Sequence, residues 1–163
     1  MPSWTVSERI VPQPIIRRAH VHDLPRVVEL LQQESLRGEQ REDLGPPLPR
    51  RYYDAFARIE ADPFNDIMVA EMDGHVVGVF QTTLIQHLMR GGELVAEIES
   101  VVVDEPFRGK KIGEAMMRWA IDDARRRGCS RVQLTSNAAR KDAHRFYERL
   151  GFVASHEGMK LML

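Results

Sequence analysis

The run EIESVVVDEPFRGKKIGEAMMRW, from Glu97 to Trp119, holds the strand, the turn and the helix start around which the rest of the chain is arranged. Leu94 to Val103 is apolar with carboxylates at alternate positions, the period of a strand. Pro106 interrupts it, and Arg108-Gly109-Lys110-Lys111-Ile112-Gly113 follows. Beyond that turn Ile112, Ala115, Met116, Trp119 and Ala120 recur at helical spacing, and Met117, Ile121 and Ala124 widen the same face. A strand, a basic glycine-bearing turn and a helix N-terminus together make an anion site. The first N–H groups of a helix have no partner within it, and the positive end of its dipole points the same way. The glycines allow close approach of the main chain. Phosphate is the ligand class this stretch is built for.

Outward from this stretch the pattern alternates between the two periods. Ile15 to Arg18 reads as a short strand, and Asp23-Leu24-Pro25 as a helix start with proline in the first turn. Gly38 to Pro49 is charged and proline-rich, a long loop placed to cover a substrate, and Arg50 to Ala61 is a second helix halted before Asp62-Pro63. Ile67 to Met72 and Val76 to Ile85 are strands joined by Asp73-Gly74, a hairpin turn. Gly91-Gly92 marks another turn, and Gly128 stands where a helix C-cap glycine belongs. Val132 to Thr135 is a strand, Asp142 to Leu150 a short helix, and Phe152-Val153 with Met159 to Leu163 are expected to close the chain as two further strands. Tight connections make the first long strands antiparallel, whereas the strand–helix–strand crossover after Val103 makes a parallel pair. The expected fold is a mixed α/β (α+β) sheet, mostly antiparallel, of six or seven strands with helices on both faces.

Bulk properties narrow the class. The 163 residues suit a single domain spanning 1–163, with 1–12 as a loose extension. With 43% hydrophobic and 29% charged residues the chain is of ordinary globular type, and a net charge of -1 argues against a nucleic-acid binder. One cysteine, Cys129, excludes an internal disulfide and fits a reducing compartment. No apolar run approaches the roughly 20 residues of a membrane span, and no signal-peptide pattern opens the chain, so the cytoplasm is the expected location. His20, His22, His75 and His87 lack metal-ligand spacing, and no metal is expected.

These residues resemble the GNAT family of N-acetyltransferases over nearly everything from Ile15 to Leu163. That family's acetyl-CoA loop, Arg/Gln-x-x-Gly-x-Gly/Ala, is matched at its first and last positions by Arg108 and Gly113, with Lys111 standing where the glycine is usual. Its second signature, Phe-Tyr-x-x-x-Gly-Phe, is matched in full by Phe146-Tyr147-Glu148-Arg149-Leu150-Gly151-Phe152. Leu134 to Asn137, Arg140, Asp142 to Tyr147 and Ser155-His156 further resemble the aminoalkylphosphonate N-acetyltransferase branch, as does Glu97-Ile98-Glu99.

The resemblance implies a set of roles. Acetyl-CoA is the co-substrate, held by Arg108, Gly109, Lys110, Lys111, Ile112, Gly113 and Glu114 at its pyrophosphate and by main-chain groups of Val101, Val102 and Val103 along its pantetheine arm. Tyr147 protonates the departing thiolate, a phenol being well matched to a thiol. Asn137 or Arg140 contacts the cofactor arm. Alternation along the strand puts Glu97 and Glu99 on one face, where two carboxylates are costly unless paired or used. Either is a candidate for the base that deprotonates the amine, and the other for a partner of the substrate ammonium. The implied acceptor is a small primary amine attacking directly in a ternary complex, without nucleic acid or membrane. A peptide or protein amine and a non-catalytic acetyl-CoA-binding regulatory domain stand as alternatives, and a homodimer is a partner common in the family.

Overall fold

Asp73 and Gly74 take φ of 50° and 76°, the left-handed pair that a two-residue hairpin turn requires. They join β2 (Asn65–Met72) to β3 (His75–Gln86) in the antiparallel ladder that founds the sheet. The computed structural model describes residues 13–34 and 42–163. Within them β1 (Ile15–Arg18) flanks β2, β4 (Leu94–Val103) flanks β3, and β5 (Arg131–Leu134) pairs parallel with β4, giving the order β1-β2-β3-β4-β5.

Helices cover both faces, as expected. On one face α1 (Leu24–Gln32) and α2 (Arg50–Glu60) bring Leu24, Val27, Leu30 and Phe56 onto Val69, Val79 and Val102. On the other, Ile112, Met116, Met117 and Ala120 of α4 (Ile112–Arg126) pack on Met68, Ala70, Phe80 and Ile98, with Phe146, Tyr147 and Leu150 from the region of α5 (Lys141–Arg149) beside them. One short turn, α3 (Met89–Gly92), lies between β3 and β4. Gly78 brings α4 close to the sheet, since a Cβ there would stand 2.7 Å from Met116 Sδ. Gly128, at φ 79°, ends α4, with the Cys129 N–H donating to Ala124 O at 2.9 Å.

Two expectations are corrected. The sheet of the described residues has five strands, not six or seven, because Phe152-Val153 and Met159 to Leu163 pair with nothing. Val153, Met159 and Leu161 are 81%, 96% and 86% exposed, and of these residues Phe152 alone packs on the core. Residues of strand type become a strand only where a ladder receives them. The expected extension 1–12 lies outside the described residues, as does 38–41 of the long loop. No described helix is long and apolar enough to cross a membrane.

Candidate active site

The site opens where two paired strands part company. β4 and β5 are joined from Val95↔Arg131 to Ile98↔Leu134, where β5 ends while β4 continues to Val103. Glu99 to Val103 therefore have no strand on the side away from β3. Within that stretch β4 carries a bulge. Val102 pairs with Val79 and Glu99 with Gln81, leaving Ser100 and Val101 opposite Phe80 alone, with Ser100 at φ 52°.

The bulge shifts the alternation by one residue. Glu97 and Glu99 face the α1–α2 layer, as does Val102, although plain alternation would turn Val102 the other way. Val101 and Val103 pack instead against the α4–α5 layer. Glu97 is half-buried and its carboxylate accepts from Gln133 Nε2 at 3.2 Å, whereas Glu99 is exposed. The expectation that both share one face holds, and each keeps oxygen capacity for another donor.

The basic turn begins with Arg108, whose guanidinium folds inward. Its Nε donates to Val103 O at 2.9 Å and its Nη2 to Gln33 Oε1 at 3.2 Å. Lys110 lies over the Phe107 ring at 4.9 Å. Gly109 has φ 76°, and Lys111, at φ 63°, is the residue preceding α4. The family's usual glycine at this place has a backbone reason, since the position is left-handed. Ala115 N–H donates to Lys111 O at 3.0 Å, the first bond of the helix, so the N–H groups of Ile112, Gly113 and Glu114 have no acceptor within it. Gly113 sits against Val103 and Phe146, its virtual Cβ 3.5 Å from Val103 Cγ2. The Glu114 carboxylate pairs with Arg118 at 2.7 Å, leaving its main-chain amide as its contribution to an anion site. Three amides, two exposed lysines and a positive helix end fit a pyrophosphate, and the unpaired edge of β4 fits an extended amide-bearing arm.

Tyr147 stands on the α4–α5 side of this opening, its ring 5.1 Å from Phe146 and 5.9 Å from Phe152. Burial among these rings pushes its phenol above the ordinary value, and Arg140 and Glu34 act on it in opposite directions. It therefore stays protonated at neutral pH, the state a proton donor needs. Arg140, the residue before α5, pairs with Glu34 at 2.8 Å. Asn137 turns its side chain back on the chain, its Oδ1 accepting from Ala139 N at 2.9 Å, while its carbonyl lies 3.0 Å from His144 Nε2. Asn137 and Arg140 are thus brought to the same loop but are engaged differently.

A network that sequence reasoning missed lies beneath the turn. Asp104, 8% exposed, receives Arg26 and Gln33, the latter at 2.8 Å. Burial raises its carboxyl, but the bonds from Gln33 and Arg26 outweigh that and hold it below the usual range. An acidic residue closing an apolar strand was the available signal for Asp104, and Gln33 offered none. At the start of α2, Tyr52 donates to Glu42 Oε2 at 2.5 Å and Arg51 pairs with Asp43 at 3.2 Å, fastening the described end of the long loop to that helix. Among the described residues no three His, Cys, Asp or Glu side chains cluster to hold a metal.

Comparison with known proteins agrees with this geometry. The acetyltransferase (GNAT) family model matches residues 32–152. The aminoalkylphosphonate N-acetyltransferase of Salmonella typhimurium is 38% identical over 105 residues, covering 64% of this chain and 68% of that protein. The glucosamine 6-phosphate N-acetyltransferase of Trypanosoma brucei brucei is 37% identical over 90 residues, 55% of this chain and 59% of that protein. A crystal structure described as a transcriptional regulator from Bacillus halodurans superposes with a TM-score of 0.87 at 40% identity, covering 93% of this chain and 100% of the other. The chain belongs to the GNAT acetyltransferase family. Its class is that of an acyl-CoA-dependent N-acyltransferase, and acetyl-CoA is the co-substrate.

Proposed function

We propose that this protein acetylates a primary amine of a small molecule by direct attack within a ternary complex. The observation that carries the reading is the parting of β4 from β5 beyond Ile98 and Leu134, with the three unpartnered amides of α4 at one end and Tyr147 beside it. Acetyl-CoA supplies an acetyl thioester, an acyl group activated toward amines. Ile112, Gly113 and Glu114 hold the pyrophosphate through their N–H groups, and Arg108, Lys110 and Lys111 add positive charge. Main-chain groups of Val101, Val102 and Val103 pair with the pantetheine arm as an added strand would. Asn137 and Arg140 border that arm. Glu97 or Glu99 takes the proton of the acceptor ammonium, directly or through a water, and Tyr147 gives its phenol proton to the departing sulfur.

Two of the curated relatives are named for an aminoalkylphosphonate and an amino-sugar phosphate acceptor, both amines with an anionic tail. Arg50 and Arg51, at the start of α2, are the candidates to receive such a tail here. The lone free thiol of Cys129 suits a reducing compartment and supports a cytoplasmic setting for the reaction. Calorimetric titration with CoA, followed by a thiol-release screen of aminoalkylphosphonates, amino-sugar phosphates, amino acids and peptides, tests the reading. Micromolar binding and turnover of a small amine is the expected result, and absence of CoA binding overturns it. The 40% likeness to a protein described as a transcriptional regulator favours one second reading, a regulatory acetyl-CoA-binding domain. Binding of CoA without thiol release on any amine would select it.

A further inference from the structure

At the end of α1 two consecutive residues reach toward opposite sides of the site. Gln33 faces the basic turn: its Nε2 donates to Asp104 Oδ1 at 2.8 Å, and its Oε1 accepts from Glu105 N at 3.1 Å and Arg108 Nη2 at 3.2 Å. Glu34 faces the other way and accepts from Arg140 Nη1 at 2.8 Å, just before α5. The strand bank of the opening is thus tied to α1 through Asp104, Glu105 and Arg108. The α5 bank is tied to the same helix through Arg140, one residue further on. No β4–β5 ladder bridges this stretch, since pairing stops at Ile98↔Leu134. The end of α1 is the polar link between the two banks.

Fastening α1 to the sheet is a poor explanation for these bonds. Leu24, Val27, Val28 and Leu30 already seat the helix, all at 5% exposure or less. The Glu34 and Arg140 side chains are 32% and 36% exposed, and an ion pair so open to water adds little to stability. What it does fix is distance, because a bidirectional tie from one rigid helix end holds two otherwise separate segments in register.

We propose that Gln33 and Glu34 are positioning residues for acetyl transfer, setting the separation of the two banks between which the acetyl-CoA arm lies. The inference rests on the reading of that opening as the cofactor slot. Neither residue touches the cofactor in this account. Gln33 acts through Arg108 and Asp104, and Glu34 through Arg140.

Calorimetry with CoA across two double-mutant cycles tests this: Gln33→Ala with Arg108→Ala, and Glu34→Ala with Arg140→Ala. Each of Gln33→Ala and Glu34→Ala is expected to weaken CoA binding about fivefold, the scale of coupling between residues in contact. For Glu34→Ala the melting temperature should move by no more than about 3 °C, whereas Gln33→Ala, which strips a donor from the buried Asp104, should lower it as well. In the Arg108→Ala background Gln33→Ala should add less than it does alone, the remainder acting through Asp104, and in the Arg140→Ala background Glu34→Ala should add nothing. Equal losses in both backgrounds, or no loss in the wild-type background, overturn the proposal while leaving the cofactor reading intact. A wild-type protein that binds no CoA overturns both. If an alanine variant fails to fold, Gln33→Met and Glu34→Met keep most of the side-chain volume, remove the polar bonds and serve in the same cycles.

Discussion

Lys111 offers a sharp test of how the backbone shapes the cofactor turn. It sits at φ 63° and ψ 11°, immediately before α4, a conformation in which an L-residue's Cβ crowds the neighbouring carbonyl. The left-handed region costs such a residue about 1–2 kcal/mol. Glycine escapes that cost but loses about 0.5–1 kcal/mol through its greater freedom in the unfolded chain. Lys111→Gly and Lys111→Ala both remove the ammonium, and only the first relieves the backbone. Lys111→Gly is therefore expected to be the more stable of the two by about 0.5–1 kcal/mol. In a domain of this size that corresponds to about 1–4 °C in melting temperature. Differential scanning calorimetry of the two variants side by side measures the difference without any contribution from charge. CoA affinity should fall by similar factors in both, and less at high salt. An alanine variant as stable as the glycine variant would refute the reasoning, because the strain at this position would then be absent or relaxed elsewhere.

Tyr147→Phe should lower kcat about 10²–10⁴-fold with little change in the KM for acetyl-CoA, and a thiol-release assay at saturating acceptor reads this directly. Because burial holds the phenol above its ordinary value, no Tyr147-dependent loss of kcat should appear below about pH 10. Gly78→Ala should destabilise the fold by about 1–3 kcal/mol in urea denaturation, since the new Cβ would lie 2.7 Å from Met116 Sδ and 3.2 Å from Val102 O. Asp23 and Asp104 both have carboxyls held below the usual range, despite burial, by Arg17 and by Gln33 and Arg26 respectively. A depressed folded-state pKa stabilises above the unfolded value of about 3.9 and loses that contribution as pH falls through the folded value. Asp104→Asn should thus cost about 1–3 kcal/mol at pH 7, with its deficit against wild type shrinking below pH 4 in chemical denaturation at stepped pH.

The elements legible in the sequence were those whose cause is local. Asp73-Gly74 announces a hairpin because few residue pairs accept two left-handed positions in a row. Ile112 to Ala120 announces a helix because its apolar members fall on one face, and the glycine-bearing turn before it announces where that helix starts. The alternation that puts Glu97 and Glu99 on one face was likewise readable, and the bulge lies just beyond it. Features decided between distant segments were not legible. Met159 to Leu163 has the composition of a strand, yet composition supplies no partner, and the run lies in solvent. Ser100 looks like any polar residue in a strand, and nothing in a valine-rich run betrays a positive φ. Gln33 has no helical-face or motif signature, because its importance comes from Asp104 and Arg108, 71 and 75 residues away.

The bulge at Ser100 also shows how this strand stores its geometry. Val101 and Val103 address the layer opposite to Glu97 and Glu99, while Val102 joins the carboxylates, because one residue more stands on β4 than on β3 between matched pairs. Point substitution along Glu99 to Val103 changes what each layer meets but leaves the addressing intact. Deleting Ser100 would set Val101 opposite Phe80 one to one and leave Val102 on Val79 in the layer of α1, so it would remove the kink in β4 without moving the turn at Arg108. What the extra residue adds is the kink itself, a break in the ladder beside the unpaired edge of β4.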